Sequence, residues 1–227
     1  MNADLKLVIF DVDGTLVDSQ GDIVAAMAAA FAAVDAEPPN RQTLLGVVGL
    51  SLDVIFPHLR PDLNAAAHAR MEAAYKEAYM ELRAQAGAAQ SSPLYPGALE
   101  VLRALQSRPE VLLGVATGKS KRGLDKLIAG HGLEGLFITQ QVADFHPSKP
   151  HPSMLHQAMS DAGVEPHQAV MIGDTRFDME MAAAAGIPGI GVSWGYHPRS
   201  ALSDALRIID SFDALHPALD EIWSAAA

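Results

Sequence analysis

Residues 8–19 read Val-Ile-Phe-Asp-Val-Asp-Gly-Thr-Leu-Val-Asp-Ser, and this stretch decides the fold and the chemistry that we predict. The apolar run Leu5 to Phe10 has the length of a buried β-strand. Ligands of open parallel sheets bind just beyond the carboxyl ends of the strands, where Asp11 and Asp13 lie. Residues two apart in a strand point to the same side, so the two charges would repel each other unless a cation or a shared proton relieves them. The stretch therefore predicts a strand end that binds a divalent metal, a proton, or both.

A pair of aspartates followed by glycine also occurs in ordinary turns and in calcium-binding loops. A calcium-binding helix-loop-helix needs further oxygen ligands at alternate positions and a glutamate at position twelve. Counted from Asp11, position twelve is Asp22, so a calcium loop fits poorly. On these residues alone an ordinary turn remains an equal alternative.

The composition limits the classes of function. Of the 227 residues, 49% are hydrophobic, which is enough for a substantial core. The formal net charge is -11 and no basic stripe stands out, so we expect no binding of nucleic acid. The chain has no cysteine, which excludes disulfides and thiolate chemistry. Without a signal-peptide pattern or an apolar run near the ~20 residues that span a bilayer, we expect a soluble, cytoplasmic protein with no membrane association.

Strand and helix signals alternate along the chain after Pro96. Apolar runs typical of short strands lie at 111–116, 137–139, 169–172, 189–192 and 207–209, with helical periodicity at 121–129, 152–162, 177–185 and 212–223. Such alternation predicts an α/β fold, in which a parallel sheet is covered by helices on both faces. Residues 19–91 are alanine-rich and helical in period, with a long helix over 63–83. We therefore expect an α/β core formed by residues 1–17 and 93–227, and an inserted all-helical cap formed by residues 18–92.

Two further loops carry groups that suit a phosphate. The predicted strand at 111–116 ends in Thr117-Gly118-Lys119-Ser120, where a hydroxyl and free N–H groups before a helix could hold phosphate oxygens. A simple helix cap by Ser120 explains the same residues. Lys149 lies in a proline-stiffened loop and could neutralise phosphate or hold Asp11 ionised, although most loop lysines are only solvated.

The strand at 169–172 ends, like the first one, in carboxylates. Asp174 follows it directly and Asp178 falls in the next helical turn, where an acidic residue also suits the helix dipole. Two acidic strand ends can share one Mg²⁺, a cation that prefers oxygen ligands. With Thr117 and Lys149 facing a tetrahedral anion, the set indicates phosphoryl transfer to a carboxylate nucleophile.

The order of these motifs resembles the haloacid dehalogenase superfamily, specifically the phosphatases with a helical cap after the first motif. Asp11-Val-Asp13-Gly-Thr15 is similar to its first motif, Thr117 to the second, Lys149-Pro150 to the third, and Gly173-Asp174 through Asp178 to the fourth. The resemblance covers nearly the whole chain and implies a Rossmann-like core with a central first strand.

The resemblance also implies a role for each carboxylate. Asp11 would attack phosphorus and form an aspartyl phosphate, and Asp13 would protonate the leaving oxygen and then activate the hydrolytic water. Asp11, the backbone carbonyl of Asp13, and Asp174 would bind Mg²⁺. Asp178 would act on the metal through water or would orient Lys149.

The phosphoryl group would be held by the other motifs. The Thr117 hydroxyl and the Gly118 N–H would bind its oxygens, and Lys149 would balance its charge. The partner is then a small phosphorylated metabolite. The stretches 182–186 and 191–196 resemble phosphoglycolate phosphatases, which makes phosphoglycolate a candidate. The cap segment 46–51 would line the pocket, but it is apolar and has no substrate-binding cation, which argues against a strongly anionic substrate. His197 is a weaker candidate for substrate contact.

Three other functions are alternatives to a phosphatase. A true dehalogenase lacks the second aspartate of the first motif, so Asp13 argues against it. A sugar-phosphate mutase uses the same acid–base pair but must exclude water and retain its substrate. A non-catalytic binding protein would have lost a motif carboxylate, and here all four motifs are intact. The sequence makes no prediction about the oligomeric state.

Overall fold

The centre of the fold is a parallel sheet. In the computed structural model, which describes residues 5–225, its six strands are β1 (Lys6–Phe10), β2 (Val111–Thr117), β3 (Thr139–Val142), β4 (Ala169–Gly173), β5 (Gly189–Val192) and β6 (Arg207–Ile209). They lie in the order β3-β2-β1-β4-β5-β6 with every neighbouring pair parallel. The predicted α/β, Rossmann-like class is confirmed. Residues 1–4 and 226–227, which we predict to belong to the core, lie outside the described part.

Helices cover both faces of the sheet because alternate residues of each strand point to opposite sides. In β1, Val8 and Phe10 join one apolar cluster, whereas Leu7 and Ile9 join another. All four side chains are fully buried. The helices that pack on the sheet are α6 (Ala98–Gln106), which precedes β2, and α7 (Lys121–His131), α8 (Ser153–Ala162), α9 (Arg176–Ala184) and α10 (Leu215–Ala225), which follow strands.

The strand register brings three motif residues to one edge of the sheet. Phe10, the last residue of β1, pairs with Val115 of β2 and with Ile172 of β4. The polar residues that end or follow these strands, Asp11, Thr117 and Asp174, therefore meet at the carboxyl edge, where α/β sheets bind ligands.

A helical insertion follows β1 before the chain returns to the sheet. It contains α1 (Gln20–Ala32), α2 (Arg41–Leu45), α3 (Leu52–Leu59), α4 (Ala65–Ala86) and α5 (Ala88–Ser91). These helices have an apolar cluster of their own, which includes Met27, Phe31, Phe56 and Met71. We use "helical insertion" for α1–α5 below. Among residues 5–225, no helix combines the length and the apolar character needed to cross a bilayer.

The largest difference from the predicted elements concerns the edge strand β3. We predicted a strand at 137–139, but pairing with β2 begins only at Thr139 and continues to Val142. The strand β3 is polar, so it has no apolar run that would predict it. Its buried amide is satisfied inside the fold, because Gln141 donates to Thr139 Oγ1 at 2.6 Å and to Asp161 Oδ2 at 2.8 Å. The long helix and the last helix are also displaced, to Ala65–Ala86 and Leu215–Ala225.

Candidate active site

A buried lysine joins two of the predicted carboxylates. Lys149 Nζ donates to Asp11 Oδ1 at 2.8 Å and to Asp178 Oδ1 at 2.6 Å, and none of the three side chains is more than 2% exposed. The second oxygen of Asp178 accepts from the hydroxyl and the N–H of Thr175, at 2.7 and 3.0 Å. Asp178 therefore has both oxygens occupied and holds Lys149 in place beside Asp11.

Asp11 keeps one oxygen free within this cluster. Its Oδ2 is buried and has no hydrogen-bond partner among the described residues. Burial raises the pKa of the Asp11 carboxyl from 3.8 to about 7, although the Lys149 ammonium opposes the rise. A buried carboxylate oxygen without a donor is costly unless a cation or a ligand meets it.

Asp174 is held between two glycines and two donors. Its Oδ1 accepts from the Thr15 hydroxyl at 3.0 Å, and its Oδ2 accepts from the Tyr196 N–H at 2.8 Å. A Cβ at Gly14 or Gly195 would collide with this side chain, and Gly14 also has a φ of +87°. Burial raises the pKa of Asp174 well above its usual value, and the charges of Asp178 and Asp11 add to the rise.

Three of these carboxylates could hold a metal ion. Oxygens of Asp11, Asp174 and Asp178 lie within 4.8 Å of one another, and all three residues are buried. A hard cation with oxygen ligands would relieve the repulsion between the carboxylates, which adds to the effect of burial on the pKa of Asp11 and Asp174. The donor set and the orphaned Asp11 oxygen fit such an ion.

The Asp13 side chain faces a different set of groups. Lys119 Nζ donates to both Asp13 oxygens at 2.6 Å, and Ser19 Oγ also donates to Oδ1. Burial alone would raise the pKa of the Asp13 carboxyl, but the Lys119 ammonium outweighs it and the pKa is lowered. Lys119 also lies 3.2 Å from the hydroxyl of Tyr79, on α4 of the helical insertion. We predicted neither Lys119 nor Tyr79 from the sequence.

A cavity of about 370 Å³ opens above these carboxylates, between the sheet edge and the helical insertion. Four residues predicted for catalysis or phosphate binding line it, namely Asp11, Asp13, Thr117 and Gly118. The predicted segment 46–51 contributes Val48, Gly49 and Leu50. Lys149, Asp174 and Asp178 are not among the lining residues, but hydrogen bonds join Lys149 to Asp11 and to Asp178, and oxygens of Asp174 and Asp178 lie within 4.8 Å of an Asp11 oxygen. The structure therefore brings the predicted catalytic, phosphate-binding and metal-binding residues together at this edge.

The cationic side chains of the cavity are not among the site residues that the sequence predicts, although Lys119 lies in the predicted phosphate loop 117–120. Lys119 follows Thr117 closely, and Arg83 lies on α4 four residues after Tyr79. The i, i+4 spacing of Tyr75, Tyr79 and Arg83 places them on one face of the helix, which is the signal that could have found them.

The helical insertion contacts the sheet edge directly. The Ser51 N–H donates to Ser148 Oγ at 2.9 Å, and Arg83 Nη1 donates to the Gly123 carbonyl at 2.9 Å. A Cβ at Gly118 would lie 2.8 Å from the Gly49 carbonyl oxygen, so this approach requires glycine. His197 has a similar bridging position: its Nε2 lies 3.1 Å from the Gly46 carbonyl, and it is not among the residues that line the cavity.

Comparison with known proteins identifies the class to which this fold and site belong. The sequence profile described as "Haloacid dehalogenase-like hydrolase" matches residues 8–192. The chain belongs to this family, as its motifs predict.

Individual relatives agree over nearly the whole chain. The protein named "Probable phosphatase IndB" of Dickeya dadantii is 34% identical over 210 residues, which cover 91% of this chain and 90% of that one. A phosphoglycolate phosphatase of Pseudomonas putida is 32% identical, covering 93% and 79%. The solved structure of a β-phosphoglucomutase from Clostridium difficile has a TM-score of 0.83 and covers 97% of this chain and 98% of that one, at 18% identity. At that identity the likeness concerns the fold alone.

Proposed function

We propose that this protein is a Mg²⁺-dependent phosphatase that hydrolyses a small phosphorylated metabolite through an aspartyl phosphate on Asp11. The observation that carries the proposal is the Asp11 carboxyl, which lines the cavity beside Lys149 and has a buried oxygen with no hydrogen-bond partner in the described part of the chain. The coarser class, a phosphoric monoester hydrolase, is confirmed by the family match together with the phosphatases among the relatives.

The metal would be held by the carboxylates at the strand ends. Asp11 and Asp174 offer side-chain oxygens, Asp13 offers its backbone carbonyl, and Asp178 lies within reach or acts through Lys149. Bound there, Mg²⁺ would supply charge compensation for the carboxylates and the phosphate dianion. The fixed donors Thr15, Tyr196 N–H and Thr175 keep Asp174 and Asp178 oriented.

Asp11 would act as the nucleophile. An Asp11 oxygen attacks phosphorus, and the bond from phosphorus to the leaving alcohol oxygen breaks. The Lys149 ammonium, fixed by Asp178, holds Asp11 in position and favours its ionised form. Thr117, buried at the end of β2, and the N–H of Gly118 would bind the phosphoryl oxygens that face the cavity.

Asp13 would transfer the protons. In the first step it gives a proton to the leaving oxygen, and in the second it accepts one from the water that attacks the aspartyl phosphate. Lys119 favours the base form that the second step needs. A bound phosphate dianion repels the Asp13 carboxylate and competes for Lys119, which favours the protonated form that the first step needs.

The helical insertion would serve as the cap over this chemistry, as predicted for residues 18–92. It supplies the roof of the cavity through Val48, Gly49 and Leu50 and touches the core at Ser51 and Arg83. When the helical insertion closes over a phosphate ester, it would exclude bulk water from the cavity. Space would remain for the single water molecule that hydrolyses the aspartyl phosphate. A cytoplasmic location remains a prediction from the sequence.

The alternative is a sugar-phosphate mutase of the same superfamily. Such an enzyme must hold a polyhydroxylated sugar and return the phosphoryl group to it. The part of the wall that α1 and α3 contribute is apolar, with Ile23, Met27, Leu52 and Ile55, and these side chains offer no partner for sugar hydroxyls. The cavity therefore favours the phosphatase. Phosphoglycolate is the first substrate to test, because the relative from Pseudomonas putida is named a phosphoglycolate phosphatase.

A panel of phosphorylated metabolites with Mg²⁺ tests the proposal. We expect release of inorganic phosphate from at least one ester, and loss of essentially all turnover in Asp11→Asn with the fold intact by circular dichroism. Isomerised phosphorylated product without phosphate release would support the mutase instead. Near wild-type turnover in Asp11→Asn would rule out the covalent route.

A further inference from the structure

The walls of the cavity attract anions although the protein as a whole is acidic. Among the charged side chains that line it, two are carboxylates, Asp11 and Asp13, whereas five are cations: Lys76, Arg83, Lys119, Arg122 and Lys126. The formal net charge of the whole chain is -11. A local excess of cations in a concave site raises the local concentration of anions.

Arg83 is the cation with donors to spare. Its side chain is buried, with a relative exposure of 6%; among the described residues Nη1 donates to the carbonyl of Gly123 at 2.9 Å, and the guanidinium carbon lies 5.3 Å from the centre of the Tyr79 ring. Nε and Nη2 are buried without a hydrogen bond to any described residue. A buried guanidinium with two free donors carries a desolvation penalty that an oxyanion removes by accepting both, since the fork of the guanidinium matches such a group.

The neighbouring lysines are already paired. Lys119 is committed to Asp13, and Lys76 to Glu72 at 2.5 Å. Arg122 and Lys126 line the cavity from α7, the helix whose Gly123 carbonyl holds Arg83. A second oxyanion bound by Arg83 would therefore lie in a cavity that two further cations, Arg122 and Lys126, also line.

The part of the cavity between Arg83 and the catalytic carboxylates is lined mainly by apolar and aromatic side chains. Tyr75 and Tyr79 stack with ring centroids 5.8 Å apart, and Ile23, Met27 and Ile55 complete the wall. A volume of about 370 Å³ lies in the range that holds ligands larger than a two-carbon ester.

We propose that the substrate is a phosphate monoester with an apolar or aromatic body and a second oxyanion, carboxylate or phosphate, that binds Arg83. The inference rests on the proposed phosphatase activity and narrows its substrate class. The expectation against a strongly anionic substrate rests on segment 46–51, which has no cation of its own. The cation comes from α4 instead.

The first experiment uses wild-type protein with Mg²⁺ and a matched series of aryl phosphates. The para substituent is a propanoate, the corresponding phosphonate, or the neutral propanamide, and phosphoglycolate is included for comparison. We expect kcat/KM to be at least about tenfold higher for the charged esters than for the amide. The ratio of carboxylate to phosphonate tells which oxyanion the site prefers. Equal values for all three aryl esters, or a higher value for phosphoglycolate, would overturn the proposal. Hydrolysis of no ester would instead contradict the phosphatase itself.

Variants then assign the preference to Arg83. In Arg83→Gln, kcat/KM for the charged esters should fall to about the value for the neutral amide. Arg83→Lys should restore part of the preference for the charged esters. Arg70→Gln is the matched control because Arg70 is exposed on the same helix and does not line the cavity. A purely structural role for Arg83 would lower all three rates equally and leave the ratio intact, which would contradict the assignment. If Arg83→Gln fails to fold, the wild-type series still decides the substrate class.

Discussion

Replacement of Lys149 by methionine should destabilise the metal-free protein by about 3–5 kcal/mol, because two buried carboxylates lose their cation. Lys149 Nζ lies 2.8 Å from Asp11 Oδ1 and 2.6 Å from Asp178 Oδ1, and its side chain is fully buried. Methionine retains much of the length of the side chain without its charge. The cost is therefore electrostatic rather than a loss of packing.

The destabilisation should grow with pH. Burial raises the pKa of Asp11 from 3.8 to about 7. Between these values the folded protein holds a proton that the unfolded chain has lost, so stability falls as the pH rises. A rise of about three units corresponds to about 4 kcal/mol at 1.36 kcal/mol per unit. Without Lys149, whose charge lowers the pKa of Asp11, this loss extends above pH 7 in the variant.

Urea denaturation in EDTA, followed by the fluorescence of Trp194 and Trp223 at about pH 5 and about pH 8.5, measures both effects. Lys121→Met is the matched control, since Lys121 pairs with Asp125 at the surface. Its loss should change the free energy of unfolding by less than about 0.5 kcal/mol. The reasoning is refuted if Lys149→Met costs less than about 1 kcal/mol at the higher pH, or costs the same at both.

Two further predictions concern the metal and the helical insertion. Asp174→Ala should raise the Mg²⁺ concentration needed for half-maximal turnover by at least about tenfold, because a carboxylate ligand is lost; an unchanged Mg²⁺ titration would remove Asp174 from the metal site. A cross-link between cysteines introduced at Ser51 and Ser148, which are hydrogen-bonded between the helical insertion and the core, should block turnover of bulky esters until it is reduced. The chain has no native cysteine to interfere, and unchanged kinetics in verified cross-linked protein would contradict a gating role.

The motif residues could be placed from the sequence because each one follows a strand. Carboxyl ends of parallel strands meet at one edge, so Asp11, Thr117 and Asp174 must converge once the strands pair. Two glycines pack closely against Asp174 at this edge, since a Cβ at Gly14 or Gly195 would collide with its side chain. Local rules were sufficient for this part of the site.

The partners of Asp13 could not be derived in the same way. Lys119, which contacts Asp13, lies 106 positions from it in the sequence. Tyr79 and Arg83 lie on the helical insertion. Periodicity places Tyr79 and Arg83 on one face of α4, but it does not give how α4 packs over the sheet edge, and these contacts depend on that packing. The predicted position of the edge strand β3 is wrong for a related reason: the buried amide of Gln141 is satisfied by tertiary contacts with Asp161 and His146, which sequence patterns do not show.

The most direct test of the central claim is to trap the phosphoryl group on Asp11. Asp13→Asn should still be phosphorylated by an activated aryl phosphate with Mg²⁺, because that leaving group needs little protonation, but should hydrolyse the adduct slowly. After acid quench and proteolysis, mass spectrometry should find one phosphoryl adduct, on the peptide that contains residues 5–19 and at Asp11, and none in Asp11→Asn. Steady turnover with no adduct on Asp11, or an adduct on another residue, would contradict the account.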